Sequence, residues 1–368
     1  MIWLAVPALA AAAYYVLALV AAARWNRPLP VPAPPGPPAP VSILKPIHGR
    51  DPAFYQAIRS HAEQDYPEFE MVFGVGDAQD PAIEDIERLR REFPAIPISL
   101  HVVSTLAANA KAGVLAELAR RARHAVLLVN DSDITVPPGY LAAVTAPLSD
   151  PKVGLVTCLY RAAATSLPAR LEALGIATEF APSVLVARLL GVAEFALGST
   201  MAFRAGVLRE AGGFEAIFDY LADDYQLGRN IHQRGYRILF APVVVETHLG
   251  AGTFADVWRH QVRWSRTIRV SRHSGYFGYV VTHATLWSLV AVAAGQWRAA
   301  LFALAVRLAA GLWIGAGILG DRSVVRNWWL IPCRDLLGFA VWLAGLRGNT
   351  VDWRGLKLRL QADGRIHR

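Results

Sequence analysis

The chain has 368 residues, a net charge of +8 and 54% hydrophobic residues, with a mean hydropathy of +0.31 and a pI near 9.7. So apolar a chain is not a wholly soluble enzyme, and without a long basic run, a zinc finger or an RNA-binding signature the excess charge does not point to nucleic acid. Two cysteines, Cys158 and Cys333, lie far apart and outside any CxxC pair; they exclude a disulfide scaffold and a thiolate metal site, and read as two buried, reduced thiols.

In chain order, residues 2–23, "IWLAVPALAAAAYYVLALVAAA", carry no charge and are long enough to cross a hydrocarbon core of about 30 Å. The run exceeds a signal-peptide core and has no basic leader, so residues 1–24 are expected to be a retained transmembrane anchor. Arg24, Arg27 and Lys45 follow it and place its C-terminal flank in the cytoplasm. Residues 25–40, which contain "PLPVPAPPGPPAP", read as a stiff, extended linker.

From residue 41 to 257 strand and helix signals alternate. "VSILKPI" (41–47) reads as a buried strand, 51–64 as a helix, and "FEMVFGVGD" (69–77) as a strand ending at Asp77. Residues 80–93 form an amphipathic helix, with Asp80 as N-cap and Pro81 at its first position. Residues 98–104 are a third strand, 109–122 a helix with Ala112, Leu115 and Leu118 on one face, and "AVLLV" (125–129) a fourth strand. Apolar strands separated by helices imply an α/β domain with a mostly parallel sheet covered on both faces. Ligands of such sheets sit beyond the carboxyl ends of the strands, where Asp77 and Asp131 fall.

"AVLLVNDSD" puts Asp131 and Asp133 one residue apart at a strand exit. Such a pair offers hard oxygen ligands to Mg2+ or Mn2+ beside substrate phosphates; the alternative is a turn capping a helix at Pro137. In "YLADDYQLG", Asp223 and Asp224 open a helix that carries Leu227 and Ile231. One acid would serve the helix dipole. Two are more than a cap requires, and the second reads as a general base for an acceptor hydroxyl. Residues 258–275 read as a basic interfacial helix, with Arg259, Arg263, Arg266, Arg269 and Arg272 at three- and four-residue spacing. Arg269 and Arg272 suit anionic headgroups, whereas Arg263 with Trp264 suits a diphosphate and a sugar. Lys45 and Lys111 lie on the same ligand edge and read as donor contacts or as solvated lysines. The apolar stretch 167–192 is an interfacial region beside a lipid entrance or ordinary core.

Apolar sequence returns over 276–346, in segments at about 276–297, 299–320 and 327–346. Arg307 in the second is expected to face other helices or a headgroup. The third, broken by Arg334 and Asp335, reads as re-entrant or interfacial. Three full crossings would carry the basic tail 347–368 (Arg354, Lys357, Arg359, Arg365, Arg368) outside; a re-entrant third segment would keep it inside.

The order "SILKPIHG", "DYPEFEMVFGVGDAQDPAI", "LLVNDSDI", "VGLVTCLYR", "LGSTMAFRAGVLREAGGF", "LADDYQLG", "RHQVRWSRTIR", "GNTVDWRGLKLRL" resembles the ceramide glucosyltransferase-like glycosyltransferases, most closely their bacterial, hopanoid-biosynthesis-associated branch. The resemblance implies a GT-A (nucleotide-diphospho-sugar transferase) fold flanked by transmembrane helices. It implies Asp77 near the nucleotide base, Asp131 and Asp133 on metal and diphosphate, and Asp224 as catalytic base. In the (Q/R)xxRW motif, Arg263 and Trp264 keep their diphosphate and acceptor roles, while His260 stands where Gln or Arg is usual; Asp223 and His260 fall on the acceptor side. Eukaryotic relatives can carry Gly at the position of Asp133, so resemblance favours Asp131 as metal ligand and chemistry favours Asp133. The implied activity is an inverting transfer of GlcNAc or glucose from a UDP-sugar to a lipid hydroxyl, of a hopanoid polyol such as bacteriohopanetetrol or of ceramide. It would take place in the bacterial inner membrane, with the catalytic domain cytoplasmic. The alternatives are a polyprenyl-phosphate glycosyltransferase, a processive polysaccharide synthase and a non-catalytic membrane receptor for nucleotide sugars.

Overall fold

Apolar runs short enough for strands become the centre of one large sheet. The computed structural model describes residues 2–25, 36–250, 252–353 and 356–367; most of the expected linker 25–40, together with Arg27, Arg354 and Arg368, lies outside them. Eight strands form the sheet: β1 (Val41–Ile47), β2 (Phe69–Val75), β3 (Ile98–Val102), β4 (Val126–Val129), β5 (Ile134–Thr135), β6 (Val153–Ala164), β7 (Met201–Arg204) and β8 (Arg237–Leu249). Their order is β3-β2-β1-β4-β7-β6-β8-β5. Strands β3, β2, β1 and β4 run parallel, as do β6 and β8, while β7 and β5 are antiparallel to their neighbours.

Both faces are covered, which is why β1 and β2 are buried along their whole length. Successive side chains point to opposite faces. Ile43 joins the core under helices Phe54–Ala62 and Ala82–Glu92, and Leu44 joins the core under helix Ala110–Arg121. Gly74 lets that last helix come close: a Cβ there would meet Val114 Cγ1 at 2.6 Å. Asp80 caps where expected, although the helix starts one residue later than the cap rule places it: its Oδ1 accepts from Ala82 N (2.9 Å) and its Oδ2 from Gly49 N (2.8 Å). After β4 no helix begins at Pro137. Ile134–Thr135 pairs with β8 instead, and the next helix, Tyr140–Thr145, follows Gly139.

The helical part packs against β6 and β8, through Leu159 and Phe240. Among the described residues two helices, Trp3–Trp25 and Trp297–Ile318, are long and apolar enough to cross a membrane; His273–Thr282 and Ala284–Ala293 form a pair bent by 51°. A sharp bend therefore falls in the first C-terminal segment. Small residues of the first helix, Ala8 and Ala12, meet Ala291, Ala300 and Ala303, which brings the backbones together. Arg307 faces other helices, as its cost in lipid demands: its guanidinium binds Asp335 at 2.6 and 3.0 Å, and Asp335 also accepts from Thr285 Oγ1 at 2.8 Å. Cys158 is buried, but Cys333 is exposed on helix Ile331–Gly345, contrary to the expectation of two buried thiols.

Residues 167–189 form helix Leu167–Gly175, a π-helical segment Ile176–Phe180 and helix Ala181–Leu189. Leu174, Ala177, Ala181 and Leu185 pack on Ala11, Tyr15 and Ala18 of the first helix. The basic tail is not a loose end. It folds into β9 (Thr350–Trp353), β10 (Leu356–Leu360) and β11 (Ile366–His367), an antiparallel sheet whose Val351, Leu358, Leu360 and Ile366 pack on Ala108, Leu221 and Val270. Ile366 N donates to Asp219 O at 2.7 Å. The chain thus leaves the sheet domain along helix Phe254–Ser271 and returns to it at β9.

Candidate active site

The carboxyl end of β4 is locked before it reaches the cleft. Asn130 is fully buried; its Nδ2 donates to Tyr140 Oη (2.8 Å) and Ser199 O (2.7 Å), and its Oδ1 faces His61 Nε2 at 3.1 Å. Asp131 and Asp133 then emerge into a cleft of about 840 Å³ that also takes in Lys111, Asp223, Asp224, His260, Arg263 and Trp264.

Two lysines serve this edge differently. Lys111, in the first turn of the helix capped by Asn109, bridges Asp131 Oδ1 at 2.7 Å and Asp223 Oδ2 at 3.0 Å. Burial alone would lower its pKa, but Asp131 and Asp223 outweigh that and hold the ammonium charged. Lys45 is neither solvated nor on the cleft wall: it is fully buried in β1 and its Nζ donates to the carbonyl of Asp131 at 3.3 Å. Burial lowers its pKa to about 7, against the pull of Asp131 and Asp133. The expected donor contact thus becomes a contact beneath the acidic edge. Asp77 is exposed, and its Oδ1 accepts from Gln79 N at 2.9 Å; its neighbour Gly76, rather than Asp77 itself, lines the cleft.

The donor set suits a hard divalent cation. Asp133, hydrogen-bonded by Thr247 Oγ1, is pushed up to about 6 by burial and by the charge of Asp131, a repulsion that a cation between the two would relieve. Among the described residues no group of three or more His, Cys, Asp or Glu side chains converges on a metal point. Further ligands would therefore be diphosphate and water oxygens, the usual company of Mg2+ and Mn2+.

Asp224 sits at the start of helix Asp223–Gln233, where backbone amides fix it: Oδ2 accepts from Gly198 N (2.8 Å) and Oδ1 from Tyr225 N (2.7 Å). Burial and the charge of Asp223 push it up to about 6, with Lys111 opposing. A carboxylate so placed is ionised near neutral pH yet basic enough to take a proton.

The opposite wall comes from helix Phe254–Ser271. His260 Nδ1 lies 2.5 Å from Glu172 Oε1, and its ring lies 4.8 Å from that of Trp264. Burial would raise Glu172, but His260 and Gln261 hold it low. An aromatic arc runs on from Trp264 to Phe180 (6.4 Å) and from Phe180 to Tyr160 (5.4 Å). Beyond it the wall is apolar, with Ile176, Val184, Tyr276, Val341 and Trp342, and Trp353 of the tail sheet closes another side. Tyr160, Phe180 and Trp353 carried no local signal of a site; only the fold brings them to the acids. Arg269, read as a headgroup contact, instead donates to Leu346 O (2.5 Å) and Gly348 O (2.8 Å), and Arg266 to Arg347 O (3.1 Å) and Thr350 O (2.6 Å). Arg272 stands 3.9 Å from Glu194. These arginines fasten the tail and the loop around residue 194 to the helix.

Comparison with known proteins agrees with this architecture. Residues 3–366 match the model of the family described as glycosyl transferase family 21. Ceramide glucosyltransferase 1 of Caenorhabditis elegans is 32% identical over 220 residues, covering 59% of this chain and 46% of the relative. Ceramide glucosyltransferase 3 of the same organism is 30% identical over 201 residues, covering 54% and 43%. The matched part thus spans about half the length of these curated relatives. A mannosyltransferase from Pyrobaculum calidifontis, solved in complex with GDP-Man and Mn2+, superposes with a TM-score of 0.56 at 20% identity, covering 93% of this chain and 99% of that one. At that identity the likeness speaks for the fold, which is the expected GT-A type.

Proposed function

The chain belongs to glycosyl transferase family 21, and from that premise we propose that it moves one sugar from a UDP-sugar to a hydroxyl of a membrane lipid. The donor would be UDP-glucose or UDP-GlcNAc and the acceptor ceramide or a hopanoid polyol. One observation carries this reading. A single cleft joins the Asp131/Asp133 pair and the helix-start base Asp224 to an apolar wall built from helices 167–189, 254–271 and 331–345. A donor and a lipid can meet there without either leaving its own phase.

In the proposed reaction Asp224 accepts the proton of the acceptor hydroxyl. The freed oxygen attacks the anomeric carbon from the side opposite the diphosphate. The bond to UDP breaks, UDP leaves with the electron pair, and the proton stays on Asp224. One displacement inverts the anomeric configuration. A divalent cation, Mg2+ or Mn2+, bound by Asp131 and Asp133 would neutralise charge on the leaving diphosphate. Arg263 binds that diphosphate, Trp264 walls the acceptor, and Asp77, exposed beside the cleft-lining Gly76, would meet the nucleotide base only if its side chain turns from Gln79 N. Lys111 holds Asp131 and Asp223 in register and offers its ammonium to the donor phosphates. His260 acts through Glu172 and through the ring of Trp264. The catalytic domain lies on the cytoplasmic side of an inner membrane, where nucleotide sugars are available.

The test is incubation of the purified full chain in detergent with either UDP-sugar, Mg2+ or Mn2+, and each lipid, followed by mass spectrometry. A lipid heavier by one hexose or one N-acetylhexosamine supports the reading. A ladder of long chains would indicate a polymerase instead. Tight UDP-sugar binding without UDP release would indicate a receptor, and full activity of Asp224→Asn would point to a phosphate acceptor that needs no base.

A further inference from the structure

Within the apolar arm of the cleft lies a polar node whose bonds are only half used. Arg334, on helix Ile331–Gly345, donates through Nη2 to Glu179 Oε2 and to Gln261 Oε1, both at 2.9 Å. Gln261 in turn donates to Glu172 Oε1 at 3.0 Å. Glu179, Gln261 and Arg334 all line the cleft, and Arg334 and Glu179 are more than nine-tenths buried. Yet Glu179 Oε1 and Arg334 Nε and Nη1 are buried without a hydrogen-bond partner among the described residues. A buried ion pair repays its desolvation only when its remaining donors and acceptors are satisfied, and each unmade bond costs the desolvation of its group.

The local backbone makes room for this node. Gly175 faces Arg334, and a Cβ there would meet its Nε at 2.2 Å; Gly338 faces Glu179, with Oε2 3.2 Å from where a Cβ would lie. Glu179 sits on the π-helical segment Ile176–Phe180, a departure from regular helix that often marks a functional position. The aromatic arc Tyr160–Phe180–Trp264 runs between the Asp224 side of the cleft and the node. Asp224, Tyr160, Phe180, Trp264, Glu179 and Arg334 all line the same cleft.

We propose that Glu179 and Arg334 select the acceptor, by binding a second neutral polar group of the lipid, one that both donates and accepts hydrogen bonds, beside the hydroxyl that receives the sugar. A hydroxyl or an amide has this chemistry: its hydrogen answers Glu179 Oε1 and its oxygen answers Arg334. The inference rests on the lipid-acceptor reading above. Gln261 and Glu172 hold the Arg334 fork in place from the catalytic helix.

Three acceptors with one apolar body test it: a primary alcohol with no other polar group, the same alcohol with a neighbouring hydroxyl, and the same alcohol with a neighbouring amide. The wild-type chain is expected to use the bare alcohol at least about tenfold less efficiently, in kcat/KM, than the better of the other two, since a site built to hydrogen-bond a group rejects the analogue lacking it. Which of the two is better identifies the group. In Glu179→Gln and Arg334→Met the gap between bare and substituted alcohols is expected to close. Equal use of all three by the wild-type chain overturns this inference and leaves the lipid-acceptor reading standing; so does an unchanged gap in folded variants. Transfer to none of the three contradicts the lipid-acceptor reading itself, and this inference with it. The wild-type comparison decides even if a variant does not fold.

Discussion

At the residue level, Lys111 links the two acidic pairs of the cleft through Asp131 at 2.7 Å and Asp223 at 3.0 Å. Asp131, Asp133, Asp223 and Asp224 stand out because charged residues interrupt an apolar strand exit and crowd a helix start, and all four line the cleft. Lys45 could not be placed so: a lysine inside "VSILKPI" is equally compatible with a strand end at the ligand edge and with the buried position it takes beneath Asp131. The environment of Asp224 makes the sharpest prediction. Its pKa is pushed up to about 6, so the group is protonated below that pH and already carries the proton it should accept. The catalytic rate is therefore expected to be level above about pH 7, to halve near pH 6 and to fall by about tenfold per unit well below it. Asp224→Asn should lose roughly 10²–10⁴-fold in kcat at pH 7. Steady-state rates across pH check both, and a rate that rises as pH falls would contradict the assignment.

At the scale of the element, the parallel half of the sheet was legible strand by strand, because β1 to β4 are short apolar runs set between helices, two of which start at capping side chains, Asp80 and Asn109. The tail was not. "LKLRL" alternates with period two, the mark of a half-buried strand, but its charge bears only on which side of the membrane the tail lies. Only the fold shows Leu358 and Leu360 turned onto Leu221 and Val270 and Arg266 and Arg269 spent on fastening it. A chain ending at Gly348 would lose Trp353 and Leu356 from the cleft wall. Its sugar transfer is expected to fall at least about tenfold, because the reacting groups lose a positioning surface; initial rates measure this, and full activity would show the tail to be dispensable. In the membrane part the buried Arg307–Asp335 pair ties helix 297–312 to helix 331–345. Asp335→Ala leaves a buried guanidinium without its counter-ion and should cost about 3–5 kcal/mol of stability. The double change Arg307→Met with Asp335→Leu should cost less. Denaturation midpoints in detergent separate the two outcomes.

At the scale of the whole molecule, hydropathy alone could not say which side the chain ends on, because crossing number depends on how broken segments pack. Docking of β9–β11 against the sheet domain leads to the expectation that the tail lies on the same side as that domain, with an even number of crossings between residues 272 and 349. With Cys333 replaced by Ser, a cysteine placed at Asp363 and one placed at Asp65 should react with an impermeant thiol reagent from the same side of sealed vesicles. Reaction from opposite sides would break that link. The same packing sets Asp131, Asp133, Asp224 and the apolar arm around one cleft, and the proposed single displacement onto a lipid rests on it. The most direct measurement is NMR of the purified product's anomeric proton, made from an α-linked UDP-sugar and a lipid alcohol. The account predicts one sugar per lipid in the β configuration; an α linkage, or more than one sugar per lipid, would contradict it.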